Sequence, residues 1–335
     1  KSVIRKCHED REIELIIACF ASAVLEQYGC IANLIKEEGY PVKYILETML
    51  QGDSPSLMAK TTGLSLVELT SAISQEKPDI CFTVGDRHET MATAIASSYS
   101  NVLLAHTMGG ELSGSIDESI RHAITKLSHY HFTACDSALK RVIRMGEDPS
   151  HVYNVGCPRL DLVKKIIEKK ITTEETSFLN KIGVGSEINI KKPFVITSFH
   201  PVTTEANQDV NLGNIIKICG NKKLQLISLW PNADAGGDFI AKKIRTLREE
   251  KFFETPVRFF KNLPVDIYIK LMNQCSALIG NSSSGIREGA FIGTPCINFG
   301  SRQANRDRAK NVIDIEKYTD NEFQKALEKH LYQLL

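Results

Sequence analysis

ICFTVGDRHETMATAIASSYSNVLLAHTMGGE, residues 80–111, reads as a strand, a loop, a helix, a second strand and a second loop. Ile80–Val84 and Val102–Ala105 are short apolar runs, and Glu89–Ser98 between them reads as a helix. Two strands joined through a helix run parallel, because the crossover returns the chain to the same end of the sheet. Gly85-Asp86-Arg87 and His106-Thr107-Met108-Gly109-Gly110-Glu111 then stand at the carboxyl ends of their strands. Open α/β sheets bind ligands at that edge.

The alternation extends in both directions. Ile13–Phe20, Phe132–Cys135 and Val152–Val155 add strands to the first half of the chain. The segment Ile116–His129 places Ile116, Ile120, Ile124 and Leu127 at helical spacing, so one of its faces is buried. Ahead of these, a helical segment (Val3, Ile4, Cys7) runs straight into the first strand, where a domain of this kind usually opens on a strand. A first strand is therefore expected ahead of Lys1. The polar stretch Glu168–Lys192 reads as the connection between domains. Strands then resume at Phe194–Phe199, Leu224–Leu229, Val257–Phe260, Ala277–Ile279 and Cys296–Phe299. The expected division is residues 1–170, an amino-terminal Rossmann-like domain with the acidic loops; residues 187–320, a second such domain; and residues 321–335, a closing helix.

The totals agree with two ordinary domains: 335 residues exceed what one hydrophobic core comfortably serves. Lysine plus arginine number 41 against 40 acidic residues, which argues against non-specific nucleic-acid or membrane binding. The nine cysteines show no zinc spacing, and Cys81, Cys135 and Cys296 sit in apolar runs as small hydrophobes. A reducing cytoplasm fits that usage best. The sequence holds no 18-residue apolar run, and no signal peptide is expected.

Further polar clusters follow other strands. Ser115-Ile116-Asp117-Glu118 has the form of a capping box, with Asp117 in the first turn and Arg121 on the same face. His200-Pro201-Val202-Thr203-Thr204-Glu205 closes the first strand of the second half and offers a histidine to a phosphate or as an acid. In Gly280-Asn281-Ser282-Ser283-Ser284-Gly285, free N–H groups, hydroxyls and a helix start suit a phosphate. Arg287, Glu288, Arg302 and Arg306 follow it. This loop is neither a Walker A motif nor GxGxxG, so nucleoside-triphosphate hydrolysis and nicotinamide binding lose support, and no cofactor is expected. Each cluster also has an ordinary structural reading as a turn or a helix cap.

Taken in order, these stretches resemble the UDP-N-acetylglucosamine 2-epimerase family, specifically its hydrolysing branch of the sialic- and legionaminic-acid pathways. The matching segments are GDRHE (85–89), HTMGGELSGSIDESIRHAITKLSHYHF (106–132), GCPRLD (156–161), HPVTTE (200–205), WPNADAGG (230–237), GNSSSGIRE (280–288) and GTPCINFGSRQANRD (293–307). The resemblance implies the GT-B fold, two Rossmann-like domains with parallel sheets and an interdomain cleft for a UDP-sugar, and a homodimer. It implies removal of the C2 proton with loss of UDP to give a 2-acetamidoglycal, then hydration to the 2-epimeric sugar. By position, Asp86 and Asp117 match acid/base carboxylates and His200 a histidine near the diphosphate. Ser282 and Ser283, beside Asn281, match phosphate-binding serines, Glu288 a ribose-contacting acid, and Arg287 and Arg302 nearby cations. Arg87, His106 and Arg121 are further binding candidates.

Many family members carry a catalytic Glu where this chain has Met108. A thioether exchanges no proton, so Glu111 is expected to take that role, and a methionine there also suits a less polar sugar. UDP- or GDP-N,N′-diacetylbacillosamine is therefore an alternative substrate. A GT-B glycosyltransferase and a non-catalytic nucleotide-sugar binder are the competing classes. Release of UDP without an acceptor separates the first from a hydrolysing epimerase, and turnover of any kind separates the second.

Overall fold

A computed structural model describes residues 1–26, 29–52, 54–202, 211–231, 236–250 and 253–332, without the side chains of Asp238 and Glu250. The chain divides into two units, Lys1–Asp161 and Leu162–Leu335.

The first unit runs α1 (Ser2–Glu9), β1 (Ile17–Phe20), α2 (Ile31–Glu37), β2 (Val42–Leu46), α3 (Pro55–Glu76), β3 (Ile80–Val84), α4 (Thr90–Tyr99), β4 (Leu103–Thr107), α5 (Ile116–Leu127), β5 (Tyr130–Thr133), α6 (Asp136–Arg144) and β6 (Val152–Asn154). Strands β3 to β6 form one parallel sheet in chain order, and β1 and β2 form a separate parallel pair. Both sheets rest on the same helices. Leu69 and Ile73 of α3 and Ala92 and Ala96 of α4 pack with Ala18 and Phe20 of β1, Leu46 of β2 and Cys81 of β3. On the alternate face, Ile80, Phe82, Val84, Tyr153 and Val155 are exposed. Phe82, Phe132 and Tyr153 form an aromatic row across it, with ring centroids 6.1 and 5.6 Å apart.

Three strands differ from expectation by two residues or more: β4 runs on through His106 and Thr107, which were read as loop. Pairing of β1 starts at Ile17 rather than Ile13, because its partner β2 begins only at Val42. The fifth strand spans Tyr130–Thr133, not Phe132–Cys135: Cys135 is the extended N-cap of α6 and leaves the sheet.

Helix α7 (Arg159–Ile166) spans the division. The second unit continues with α8 (Thr173–Ile182), β7 (Val184–Gly185), β8 (Phe194–Ser198), α9 (Leu212–Asn221), β9 (Gln225–Leu229), α10 (Gly237–Glu250), β10 (Val257–Phe260), α11 (Val265–Gln274), β11 (Ala277–Gly280), α12 (Glu288–Ile292), β12 (Cys296–Phe299), β13 (Val312–Ile315) and α13 (Asp320–Tyr332). Its sheet has the order β13-β12-β11-β8-β9-β10-β7, parallel except for β7. Alternate residues feed two cores. Val195, Phe259, Ile279 and Ile297 pack toward α9 and α13, whereas Phe194, Ile196, Phe260 and Leu278 pack toward α8 and α11. Burial on both faces is why these strands read as unbroken apolar runs.

The polar stretch Glu168–Lys192 is not plain connection. Thr172 and Glu175 close a capping box at the start of α8, and Leu179 is buried in the second core. Buried Arg258 of β10 then gathers the chain that follows. Its guanidinium donates to the carbonyls of Leu179 (3.1 Å), Gly183 (2.8 Å), Gly185 (3.0 Å), Ser186 (3.1 Å) and Asn180. Asn180 in the last turn of α8, whose carbonyl has no partner within the helix, is satisfied in this way, and the Leu179 carbonyl, which also accepts the Gly183 N–H at 3.2 Å, gains a second donor.

Candidate functional site

In the first unit the loop after β3 and the turn after β4 are joined from below. Gly85 takes φ +78°, and its N–H donates to the Thr107 carbonyl at 3.0 Å. Its own carbonyl meets Nε2 of His106 at 2.8 Å. His106 is fully buried, so it acts from beneath the loop rather than presenting a titratable edge to solvent. Its Nδ1 faces Thr125 Oγ1 at 3.4 Å. Burial pushes the imidazole down to about 4, against the Gly85 carbonyl and Asp86, which favour the cation.

The glycine turn is tight because α5 and α6 lie against it. A Cβ on Gly109 would come 2.9 Å from Thr125 Oγ1, and one on Gly110 would come 2.5 Å from the Ala138 carbonyl. Met108 is buried with φ +67°, a backbone region that costs a non-glycine residue energy, and its N–H donates to the Phe132 carbonyl at 2.9 Å. The thioether fills the core under the turn.

Arg121 of α5 is also fully buried and joins the two loops. One guanidinium nitrogen pairs with the carboxylate of Asp86, the other donates to the Glu111 carbonyl, and Ser113 Oγ lies at 3.5 Å. The capping box expected at Ser115 does not form. Ser115 donates its hydroxyl to the Asp117 carboxylate at 2.9 Å, and Glu118 reaches past it to accept from the Ser113 N–H at 2.6 Å. The charge-assisted bond to the Asp117 carboxylate orients the Ser115 side chain, whose oxygen makes no capping bond. Asp117 precedes Arg121 by one turn, as expected, but the guanidinium is directed at Asp86.

Arg87 is turned back along its own loop, with Nε 2.8 Å from Glu89 Oε1. Glu89 was not singled out from the sequence, yet it also receives Ser22 Oγ (3.2 Å) and faces His88 Nδ1 (3.1 Å). Burial pushes its carboxyl up, but Arg87 and His88 outweigh that and hold it below the ordinary range. A signal existed in the sequence, since Arg-His-Glu places two bases beside an acid at the start of a helix.

In the second unit β8 and β11 bring their ends together. Gly280 takes φ +146°, and a Cβ there would lie 2.0 Å from the Ser198 carbonyl, so only glycine fits. Buried Asn281 and half-buried His200 clasp through their amides: the His200 N–H donates to Asn281 Oδ1 (2.7 Å), and Asn281 Nδ2 to the His200 carbonyl (2.8 Å). The His200 ring is 3.2 Å from Ser198 Oγ. Arg302 (3.3 Å) and Gln303 (2.9 Å) both donate to the Asn281 carbonyl. Ser282 caps a 3₁₀ turn, Ser283–Gly285, through the Ser284 N–H. Ser283 is half-buried, and among the described residues its hydroxyl makes no side-chain hydrogen bond. Helix α12 starts only at Glu288 and lasts five residues, so a phosphate at this turn would rely on hydroxyls and turn N–H groups more than on a helix dipole. Glu288 is buried, and Arg287 precedes it as the N-cap.

Thr203, Thr204 and Glu205, and residues 232–235 of the segment WPNADAGG, lie outside the described residues. Among the described residues no three His, Cys, Asp or Glu side chains are placed to hold a metal ion. No described helix is long and apolar enough to cross a membrane.

The family model of UDP-N-acetylglucosamine 2-epimerase matches residues 5–333. The chain is 35% identical to the UDP-N,N′-diacetylbacillosamine 2-epimerase (hydrolyzing) of Legionella pneumophila, over 94% of this chain and 81% of that protein. It is 31% identical to a UDP-N-acetylglucosamine 2-epimerase of Neisseria meningitidis, over 94% and 79% respectively. The fold is similar to that of Methanocaldococcus jannaschii UDP-GlcNAc 2-epimerase, solved with UDP-GlcNAc and UDP. Their TM-score is 0.78 at 19% identity, over 98% of this chain and 88% of that one. The two parallel-sheet units are accordingly the Rossmann-like halves of a GT-B fold. With a match spanning almost its full length, the chain belongs to the UDP-N-acetylglucosamine 2-epimerase family.

Proposed function

We propose that this protein is a hydrolysing 2-epimerase that converts UDP-N-acetylglucosamine and water to UDP and N-acetylmannosamine. A carboxylate takes the proton from C2, the bond from C1 to the UDP oxygen breaks, and a 2-acetamidoglycal and UDP result. Water then adds its hydroxyl to C1 while a proton is delivered to the opposite face of C2. The observation that carries the reading is the grouping of acidic segments in one unit: Asp86 and the Glu111 carbonyl both meet Arg121, and the same helix bears Asp117 one turn earlier. These carboxylates are the acid/base candidates. His200, Ser282, Ser283, Arg287 and Arg302, with Asn281 as their backbone brace, are assigned to the diphosphate, and Glu288 to the ribose.

A second reading keeps the chemistry and changes the sugar. Relatives from Legionella pneumophila and Campylobacter jejuni, at 35% and 31% identity, are named as hydrolysing 2-epimerases of N,N′-diacetylbacillosamine nucleotides. Buried Met108 in the glycine turn, where many family members carry a Glu, favours it. One experiment tests both. The purified protein is incubated in heavy water with UDP-GlcNAc, UDP-diacetylbacillosamine or the GDP-sugar, and the released sugar is identified by NMR. Deuterium at C2 of a free 2-epimeric sugar is expected from one of the three. A product without C2 deuterium would rule out elimination through solvent exchange, and release of nucleotide only with an acceptor sugar would indicate a glycosyltransferase. Light scattering of the same sample tests assembly as a homodimer.

A further inference from the structure

We infer that Arg121 is a positioning residue for the reaction rather than a substrate-binding one, fixing the Asp86 carboxylate and the Glu111 segment relative to the helix that carries Asp117. The inference rests on the proposed roles of those acids. A diphosphate ligand needs an accessible cation, and Arg121 is fully buried with its terminal nitrogens directed at Asp86 and the Glu111 carbonyl. Swinging it toward a ligand would strand the carboxylate it now pairs with, and an uncompensated charge in such a place is strongly disfavoured. Asp86 keeps 23% of its side chain exposed, so the carboxylate reaches the surface while the arginine holding it does not.

The local frame is built from several directions. His106 grips the carbonyl of Gly85, the residue before Asp86. Arg141 donates to the Gly110 carbonyl, the residue before Glu111. Thr125 donates to the Arg121 carbonyl at 3.0 Å, one turn along α5. Arg121 is the member that touches both loops at once. The planar fork of a guanidinium spans two acceptors, whereas a lysine ammonium keeps the charge but reaches one of them.

The test is kinetic. Turnover, KM and the UDP dissociation constant are measured for wild type, Arg121→Lys, Asp86→Asn and the double variant. Displacement of a reacting group by about 1 Å costs on the order of 100-fold in rate, so Arg121→Lys is expected to lower kcat by about that factor. KM and UDP affinity should stay within about twofold, and the losses in the double variant should fall well short of multiplying, because the arginine acts in part through that carboxylate. Weakened UDP binding with kcat kept, or fully multiplied losses in the double variant, overturns the inference. An inert Asp86→Asn beside an active Arg121→Lys also overturns it while leaving the proposed chemistry standing. An active Asp86→Asn removes the assignment of Asp86 itself. If Arg121→Lys does not fold, the guanidinium N–H signals of Arg121 are followed by NMR in wild type and in Asp86→Asn, with and without UDP. Signals that move in Asp86→Asn and stay in place on adding UDP are expected, and signals that move on adding UDP overturn the inference.

Discussion

At Met108 the backbone takes φ +67° and the thioether is buried, so the turn after β4 presents its acid three residues later, at Glu111. If proton transfer at C2 needs a carboxylate from this turn, Glu111→Gln should slow turnover by roughly 100-fold or more, comparable with Asp86→Asn. Undiminished turnover in the purified variant would remove Glu111 from the chemistry. Ser283 offers the other residue-level test. Its hydroxyl makes no side-chain hydrogen bond among the described residues, so replacing it disturbs little of the protein itself. Ser283→Ala should weaken UDP binding by about 1–2 kcal/mol if the hydroxyl serves a phosphate oxygen. Calorimetry that returns an unchanged dissociation constant would make the serine turn a cap alone.

Elements that bury one clean face were legible before the structure, and those settled by competing polar partners were not. Strand β3 spans Ile80–Val84 as read, because its apolar run ends at a glycine with φ +78°. Strand β2 escaped notice, since Lys43 within Val42–Leu46 breaks the apolar run. The short β7 is an edge strand of two residues with no pattern to show. Two stretches with the same S/T-x-x-E spelling end differently. Thr172 and Glu175 form the reciprocal cap, whereas Ser115 turns to the Asp117 carboxylate two residues on and Glu118 to the Ser113 N–H. Asp86, Glu111, Asp117 and Arg121 could each be named from the sequence, but the direction of Arg121 and the burial of His106 depend on how β3, β4 and α5 stack. That burial has a measurable consequence for the sheet β3–β6. His106 stays neutral down to about pH 4 in the folded state, whereas an unfolded histidine takes up a proton near 6.5. Between those values the unfolded chain binds more protons, so this contribution to stability is whole above pH 6.5 and is lost as pH falls toward 4, by up to about 3 kcal/mol. Urea midpoints at pH 7.5 and 5 should show the loss, and His106→Gln should lessen it, leaving the share of His122 and His131, which burial also pushes down; an equal loss in the variant would exclude His106 as a source.

At the scale of the molecule, the division near Asp161 falls within α7, and lysines 164, 165, 169 and 170 crowd the segment that follows. Lys169 and Lys170 lie beyond the end of the helix and are exposed, a suitable substrate for trypsin. Lys181, in the last turn of α8, is exposed too, but the chain around it is fastened by the carbonyls that Arg258 collects. Proteases cut where some ten residues can peel into an extended strand, and exposure of a side chain is not enough. Brief digestion should therefore nick the protein at Lys169 or Lys170 and leave a resistant fragment that begins at residue 170 or 171 with α8 intact. In Arg258→Met a second early cut should appear at Lys181, as read by mass spectrometry of the fragments. The guanidinium that satisfies a helix end is thereby also what keeps the chain beyond that helix out of a protease's reach.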